Sequence, residues 1–576
     1  MKNNTNCSTL SNYGIACITL FFCGLLIYPA GKVSGSSSDT TDQSEFVITG
    51  KQYYRHNSFD TGEICIFLKN SSEESLSINQ CKLYKVIENK EQKNPEIKYL
   101  YAKLSPPELA AGNNGELLIK LNKTLPENSK VNCIIEDNTG TSLETSILVK
   151  QVPIWIPYVG FSEELNEIYI YIENNCQKPL KVKLIEVADI NVGNNYRSIN
   201  NDLDANDKGC LIYKLPRPVK SGQYVNVVVS AESENKKWQT HRIVRAVKKF
   251  PLLLEKGGGN WELGLDSEEF FVTSTFGSKK VACVQNMICP AHQHGTYGEA
   301  AKKFLDNRHD IFLQATYLLT QMRICRSNKP RAWFKFGGLA DISVMNTVLS
   351  GSVEDESFCP FFGLGVMAKK SAEPNRYFAC IPVSPENILF VRSNYTPNEI
   401  KFLVYCAVAG GAKGLLYRGV PILGDFVYDT FVRLNKELQE LKPLLIISEP
   451  VDWASTADDN YVAKSLLCGD EAILVFVFDR RYFSKQQRKK FYTPVFAKAA
   501  GPTKIEVKIP DRFAVSNIES QYQRLAREQW NYQQGEVDFT IQISDSVQTY
   551  KVVLAQSSLK TGLKGKTEPC KNKAVN

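Results

Sequence analysis

Two acidic residues stand where a folded chain could put carboxyl groups to work: Asp341, five residues after the apolar run 332–336 (AWFKF), and Glu386, three after the run 378–383 (FACIPV). Both runs read as buried strands, as does 388–392 (ILFVR). A pair of carboxyl groups can divide acid–base work, one giving a proton while the other acts as nucleophile or base. The placement matters because reactive groups on parallel sheets gather just past the carboxyl ends of the strands. Arg392, Tyr417 and Arg418 also fall at strand ends and could hydrogen-bond to or stack on a bound substrate. Acids after strands also serve as caps or face solvent, and arginines there also form structural ion pairs. Glu354, Asp355 and Glu356 read as an exposed acidic loop.

Three of the five histidines, His292, His294 and His309, fall within 18 residues and follow Cys283 and Cys289. Thiol and imidazole groups this close are what transition metals prefer, but the spacing matches no zinc, iron–sulfur or haem pattern. No metal and no other cofactor is therefore expected. A serine elbow, a phosphate-cradling glycine loop and a dinucleotide fingerprint are all missing, which argues against the enzyme classes that use them.

The elements that must position these residues change character along the chain. Residues 63–70 (EICIFLKN) match 167–174 (EIYIYIEN), and the later pairs 115–121 with 209–215 and 131–135 with 225–229 repeat the likeness. Each copy is about 100 residues of short β-branched and aromatic runs between turn clusters, the pattern of a small antiparallel sandwich. Gly257, Gly258 and Gly259 mark a junction, after which strands alternate with helices. Thr296 and Glu299 have capping-box spacing before an apolar-periodic stretch that runs to about Cys325, with a break near Asn307. Thr396, Pro397 and Glu399 cap a helix that stops at Gly410 and Gly411, the strand 414–418 follows, and a second helix runs from Asp425 to Pro443. Short strands return from about 448 to 556.

The stretch YTPNEIKFLVYCAVAGGAKGLLYRG, with FVYDTFVRLNKELQELKPLL and the strands after it, resembles the last βα units of glycoside-hydrolase-type (β/α) barrels and their C-terminal sandwich domain. The likeness covers about 390–555 and extends loosely back to about 265. It implies a sugar-hydrolase-like barrel and a polysaccharide or cell-surface glycan as ligand, with Asp341 and Glu386 as the catalytic pair and Arg392, Tyr417 and Arg418 on the sugar. The fold expected is multidomain α/β plus all-β. Two tandem immunoglobulin-like β-sandwiches (45–150 and 152–247) precede a reduced TIM-barrel-like α/β domain (265–447), a C-terminal β-sandwich (448–556) and a disordered lysine-rich tail (557–576). The barrel segment has about 180 residues where eight units take about 250. The Asn-Glu acid/base motif of the largest barrel clan is missing, since Ala372 precedes Glu373. The alternative is a non-catalytic cell-envelope protein that binds carbohydrate or builds structure.

Charge and thiols narrow the partners. The net charge is +8, but residues 1–35 carry +2 and residues 557–576 carry +4, which leaves 62 basic against 60 acidic residues in between. A nearly neutral body lacks the concentrated basic face that nucleic acid requires, so no nucleic-acid partner is expected. The basic run around Arg480 to Lys490 reads as a solvated hairpin loop. Residues 14–28 (GIACITLFFCGLLIY) are short for a bilayer span and suit a signal-peptide core, with an uncleaved anchor as the competing reading. The expectation is export to a periplasmic, surface or extracellular site, with membrane or anionic-envelope contact through leader or tail. Loss of the leader would leave 13 of the 16 cysteines, an odd number. Most read as buried small hydrophobes, one or two disulfides are allowed, and spacing does not give their connectivity.

Overall fold

The computed structural model describes residues 45–56, 60–86, 95–234, 236–256, 260–262, 283–288, 297–314, 316–317, 319–324, 330–347, 360–382, 397–418, 425–479, 487–488, 491–492, 501–520, 524–533, 535–543 and 545–556. The chain divides into two units, Met1–Gln43 and Ser44–Asn576, and all described residues belong to the second. The leader segment 14–28 and the lysine-rich tail lie outside them.

The first sandwich faces a sheet of Phe46–His56, Thr61–Asn70, Asn114–Leu121 and Tyr99–Ser105 against one of Ile78–Lys85, Lys130–Asp137 and Ser142–Leu148. Ile66, Leu68, Leu83, Ile119 and Ile135 fill the space between. In the second, Tyr224–Ser233 lies between Leu180–Val187 and Lys236–Arg245, and Glu167–Asn174 between Lys208–Lys214 and Ile154–Phe161. The segments that match in sequence take equivalent places: Thr61–Asn70 pairs with Asn114–Leu121 as Glu167–Asn174 pairs with Lys208–Lys214. Leu180–Val187 shows the alternating burial of a strand with one wet face. Ile154–Phe161 is buried at every position, because its outer face is covered by the end of a helix from the next domain. Gly160 permits this approach: a Cβ there would lie 2.9 Å from Ile447 Cα.

The middle of the chain corrects the barrel expectation. Five helices are described, α1 (Tyr297–Gln314), α2 (Pro330–Phe336), α3 (Pro360–Ala372), α4 (Pro397–Ala409) and α5 (Asp425–Ile447), against a large majority of strands, most of them in small antiparallel sheets. The one parallel layer runs Leu252–Lys256, Leu415–Arg418, Arg376–Pro382, Ile342–Asn346, Leu319–Ile324, Cys283–Ile288, with Asn260–Glu262 added antiparallel at the first edge. Among the described residues no pairing joins the two outer strands, so this is an open half-barrel arc and no (β/α) barrel.

Three local expectations also change. Residues 332–336 are helical in α2, with Pro330 at its first position; a short apolar run with buried Trp333, Phe334 and Phe336 suits either period. Helix α1 continues unbroken through Asn307 and ends at Gln314. Helix α5 passes through Pro443 to Ile447. Its last carbonyls are satisfied from other elements: Lys413 Nζ donates to Leu445 O (2.9 Å), and Tyr158 and Tyr171 hydroxyls donate to Ile446 O and Ile447 O (2.5 Å each). The strand expected at 388–392 lies outside the described residues.

The C-terminal sheets, Ser448–Val451, Tyr461–Cys468, Ala472–Asp479, Val547–Gln556 and Phe513–Ser520 against Ala454–Thr456, Thr503–Lys508, Glu536–Ile541 and Trp530–Gln533, share one apolar core with α3, α4 and α5. Among the described residues no helix is long and apolar enough to cross a membrane.

Candidate functional site

The sequence-derived site residues do not come together among the described residues. Glu386 and Arg392 lie outside them. Asp341 opens the strand Ile342–Asn346, because the segment before it is helix α2; it stands at the amino end of the parallel sheet, opposite the edge where α/β sites form. Only 6% exposed, it accepts hydrogen bonds from Thr320 N (2.9 Å) and Thr320 Oγ1 (2.8 Å). Burial works to raise its carboxyl, but the charges of Arg245, Arg308 and Lys103 hold it below the usual range. Tyr417 is buried within the sheet, and the backbone of Arg418 pairs with Glu255 and Pro382. Among the described residues no group of three or more His, Cys, Asp and Glu is placed to hold a metal; Cys289, His292 and His294 lie outside them.

Along that amino edge the two sandwiches bury a polar layer. Trp155 Nε1 donates to Glu373 Oε2 (2.8 Å), Lys369 bridges Glu373 (2.8 Å) and Glu449, and Lys208 reaches Glu449 (3.4 Å). Burial raises Glu373; at Glu449 burial pushes the same way and Lys369 overrides it, holding the carboxyl low. Lys413, walled in by protein, is pushed down to about 7 by burial. Between the sandwiches Arg242 Nη1 meets Glu116 Oε1 (2.8 Å), with its guanidinium 3.9 Å from the Trp155 ring. Nearby, Glu63 accepts from Lys120 and from His56 Nε2 (2.9 Å). Apart from Lys208 these groups are buried; the Arg242–Glu116 pair joins the two sandwiches, and Trp155 with Glu373 joins the second sandwich to the parallel layer.

Just outside this layer a cleft of about 600 Å³ opens where both sandwiches meet the end of α1. Helix α1 turns Ala301, Phe304 and Arg308 inward, leaving Phe312 half-buried and Leu313 exposed beyond them. Arg308 donates to Leu104 O (2.8 Å) and Tyr224 Oη (2.7 Å), and Arg245 packs its guanidinium 4.3 Å from the same tyrosine ring. The Tyr224 and Phe312 rings meet edge to face at 6.2 Å, giving the cleft an aromatic wall. Tyr317 stands at the mouth, 49% exposed, with Lys220 Nζ 5.4 Å from its ring centre. On the polar side Asn114 Nδ2 donates to Asp189 Oδ1 (2.8 Å), joining first sandwich to second. Asn226 donates to Glu186 (2.7 Å), whose carboxyl burial raises.

The cleft depends on a close approach at Gly222. This residue has φ +80°, and a Cβ there would lie 2.0 Å from the Tyr317 carbonyl oxygen. Sequence reasoning missed the site because its parts come from segments near 114, 189, 224 and 317, each an ordinary turn or helix end on its own. Asp189 with its positive φ of 62° marks a tight turn, but nothing in the sequence says what faces it.

No protein-family model matches the chain, and no curated protein matches it. Solved structures give weak likenesses. A GH36 alpha-galactosidase from Geobacillus stearothermophilus in complex with raffinose covers 88% of this chain and 89% of its own, at 9% identity and a TM-score of 0.30. The archaellum periplasmic stator protein FlaG from Sulfolobus acidocaldarius covers 18% of this chain and 97% of its own, at 17% identity and a TM-score of 0.14. The YadV chaperone covers 35% and 100%, at 12% identity and a TM-score of 0.13. The chain is thus similar in part to a glycoside hydrolase and to chaperone-type β folds, at a level that transfers no residue and no activity.

Proposed function

We propose that the chain is an exported, cell-envelope carbohydrate-binding protein, and that the three-domain cleft is where it seats a saccharide. One juxtaposition carries this reading: an exposed tyrosine ring and an aromatic pair line the same cleft of about 600 Å³ as amide and carboxylate groups. Saccharides present apolar C–H faces that stack on rings, and hydroxyls that accept from Asn amides and donate to Asp carboxylates. The buried Arg242–Glu116 pair and the Asn114–Asp189 bond between the sandwiches support a preformed site, which lowers the ordering cost of binding. In this reading Asp341 anchors the adjoining strand ends and takes no part in bond cleavage.

The test is calorimetry of the full chain with oligosaccharides chosen by glycan array, alongside Tyr317→Ala, Asp189→Ala and Gly222→Ala. Loss of ring stacking is expected to weaken binding about tenfold, the equivalent of about 1.4 kcal/mol. Gly222→Ala acts by displacing Tyr317 and should weaken binding without touching the ligand. Absence of glycan binding, or binding that all three variants leave unchanged, would sink the proposal. Release of reducing sugar by wild type and cleft variants alike would move the function to another part of the chain.

A further inference from the structure

Cys81 lies in the edge strand Ile78–Lys85, and Cys133 in its neighbour Lys130–Asp137, within the three-stranded sheet of the first sandwich. The antiparallel register sets Cys81 opposite Ile135 and Leu83 opposite Cys133, so the cysteines are diagonal neighbours on one face. That face is the core: Cys81 is 4% exposed, Cys133 is 0% exposed, and both belong to the apolar cluster between the sheets. The two sulfurs are 3.5 Å apart, about 1.5 Å more than a bonded pair. The Tyr99 hydroxyl, donating to the Cys81 carbonyl at 2.6 Å, pins the edge strand in this register.

We propose that Cys81 and Cys133 form a disulfide that staples neighbouring strands of the first sandwich when the chain folds under oxidising conditions. The reaction is exchange with an oxidised dithiol or glutathione disulfide. One chain thiolate attacks the carrier's S–S bond to give a mixed disulfide, and the second displaces the carrier sulfur. A sulfur–sulfur bond forms within the chain and the carrier's bond breaks. The chain loses two electrons, and the carrier leaves as two thiols holding the two protons. The exchange belongs to folding, because the closed sandwich shields both sulfurs. The contact with Cys81, together with burial, also holds the Cys133 thiol far above its ordinary range. The strand Ile78–Lys85 ends this sheet, with only a short bridge at Tyr84 and Glu96 on its outer side. The link ties that edge to its centre and spans 52 residues of chain, which restricts the unfolded state.

The experiment uses the full chain, unfolded and reduced, then refolded in a glutathione redox buffer with recovery followed by circular dichroism. Free thiols are alkylated under denaturing conditions and the peptides mapped without reduction. The expected map holds one linked pair, Cys81 with Cys133, and reduction of the refolded chain lowers the first unfolding midpoint by several degrees. The double variant Cys81→Ala with Cys133→Ala should show no such reductant-dependent shift. Alkylation of either cysteine, linkage of either to a different partner, or the same reductant-dependent shift in the double variant overturns the proposal. If the double variant does not fold, the peptide map decides alone.

Discussion

Replacing Arg242 with methionine tests whether the buried ion pair between the sandwiches sets their angle. Arg242 is 0% exposed; it pairs with Glu116 at 2.8 Å, touches Cys65 Sγ at 3.2 Å and covers the Trp155 ring. Arg242→Met leaves Glu116, 5% exposed, with the Ile243 amide at 2.9 Å and no cation in direct contact. Removing one member of such a pair costs about 3–5 kcal/mol, and the lost cation–π contact lies within that figure. Methionine retains much of the apolar stem against Trp155. The second substitution, Glu116→Gln, then removes the stranded charge. The double variant should return to within about 1–2 kcal/mol of wild type, since an ion pair replaced as a unit is often near neutral. Urea unfolding followed by tryptophan fluorescence reads both, with the first transition analysed by itself because several domains need not unfold together. A single variant that costs less than about 1 kcal/mol, or a double variant as unstable as the single, would refute the reasoning.

Lys413 titrates inside the protein near 7 and in the unfolded chain near 10.4, so the unfolded state binds more protons between these values. Stability should rise from pH 7 to pH 9, and Lys413→Met should flatten that rise in urea midpoints measured across the window. Glu63 is held low because Lys120 and His56 outweigh its burial, while burial and Lys120 lower His56. Both contributions are present at neutral pH and are lost on acidification, first below the ordinary histidine value and then below the ordinary glutamate value. Glu63→Gln should therefore shrink the acid-side loss seen in a pH series of melting temperatures. Asp341→Asn should lower stability by about 1.5–3 kcal/mol through weaker bonds from Thr320, with any glycan affinity intact. A collapse of affinity without loss of stability would return Asp341 to the binding machinery.

The legible parts of this chain were those written in local periodicity. The helices beginning at Pro397 and Asp425, the strand between them and the internal repeat all show in the spacing of apolar residues. Residues 332–336 are ambiguous because four apolar and aromatic positions suit both periods, and the turn that follows is packed by distant parts of the chain, Gly337 against Ser371 and Gly338 against Tyr101 and Leu118 of the first sandwich. Closure of the parallel layer was illegible, since it depends on strand count and shear, which no single segment records. The cleft and the Arg242 pair were hidden for the same reason: each joins residues more than 70 positions apart. Arg242 stands inside the strand Lys236–Arg245, whose last four residues are all buried, and nothing in the local sequence shows that burial.

The contact of Tyr158 with Ile446 also orders events in time. These residues are 288 positions apart, so at 5–20 residues per second the ribosome needs roughly 15–60 s to make the partner. Through that interval the outer face of Ile154–Phe161, aromatic and fully buried in the finished protein, has nothing to cover it. The second sandwich is thus born incomplete and waits for the end of α5 and for the strands just after it, where Leu467 O accepts from the Tyr171 hydroxyl at 2.8 Å, so a chain cut before these residues leaves that face bare.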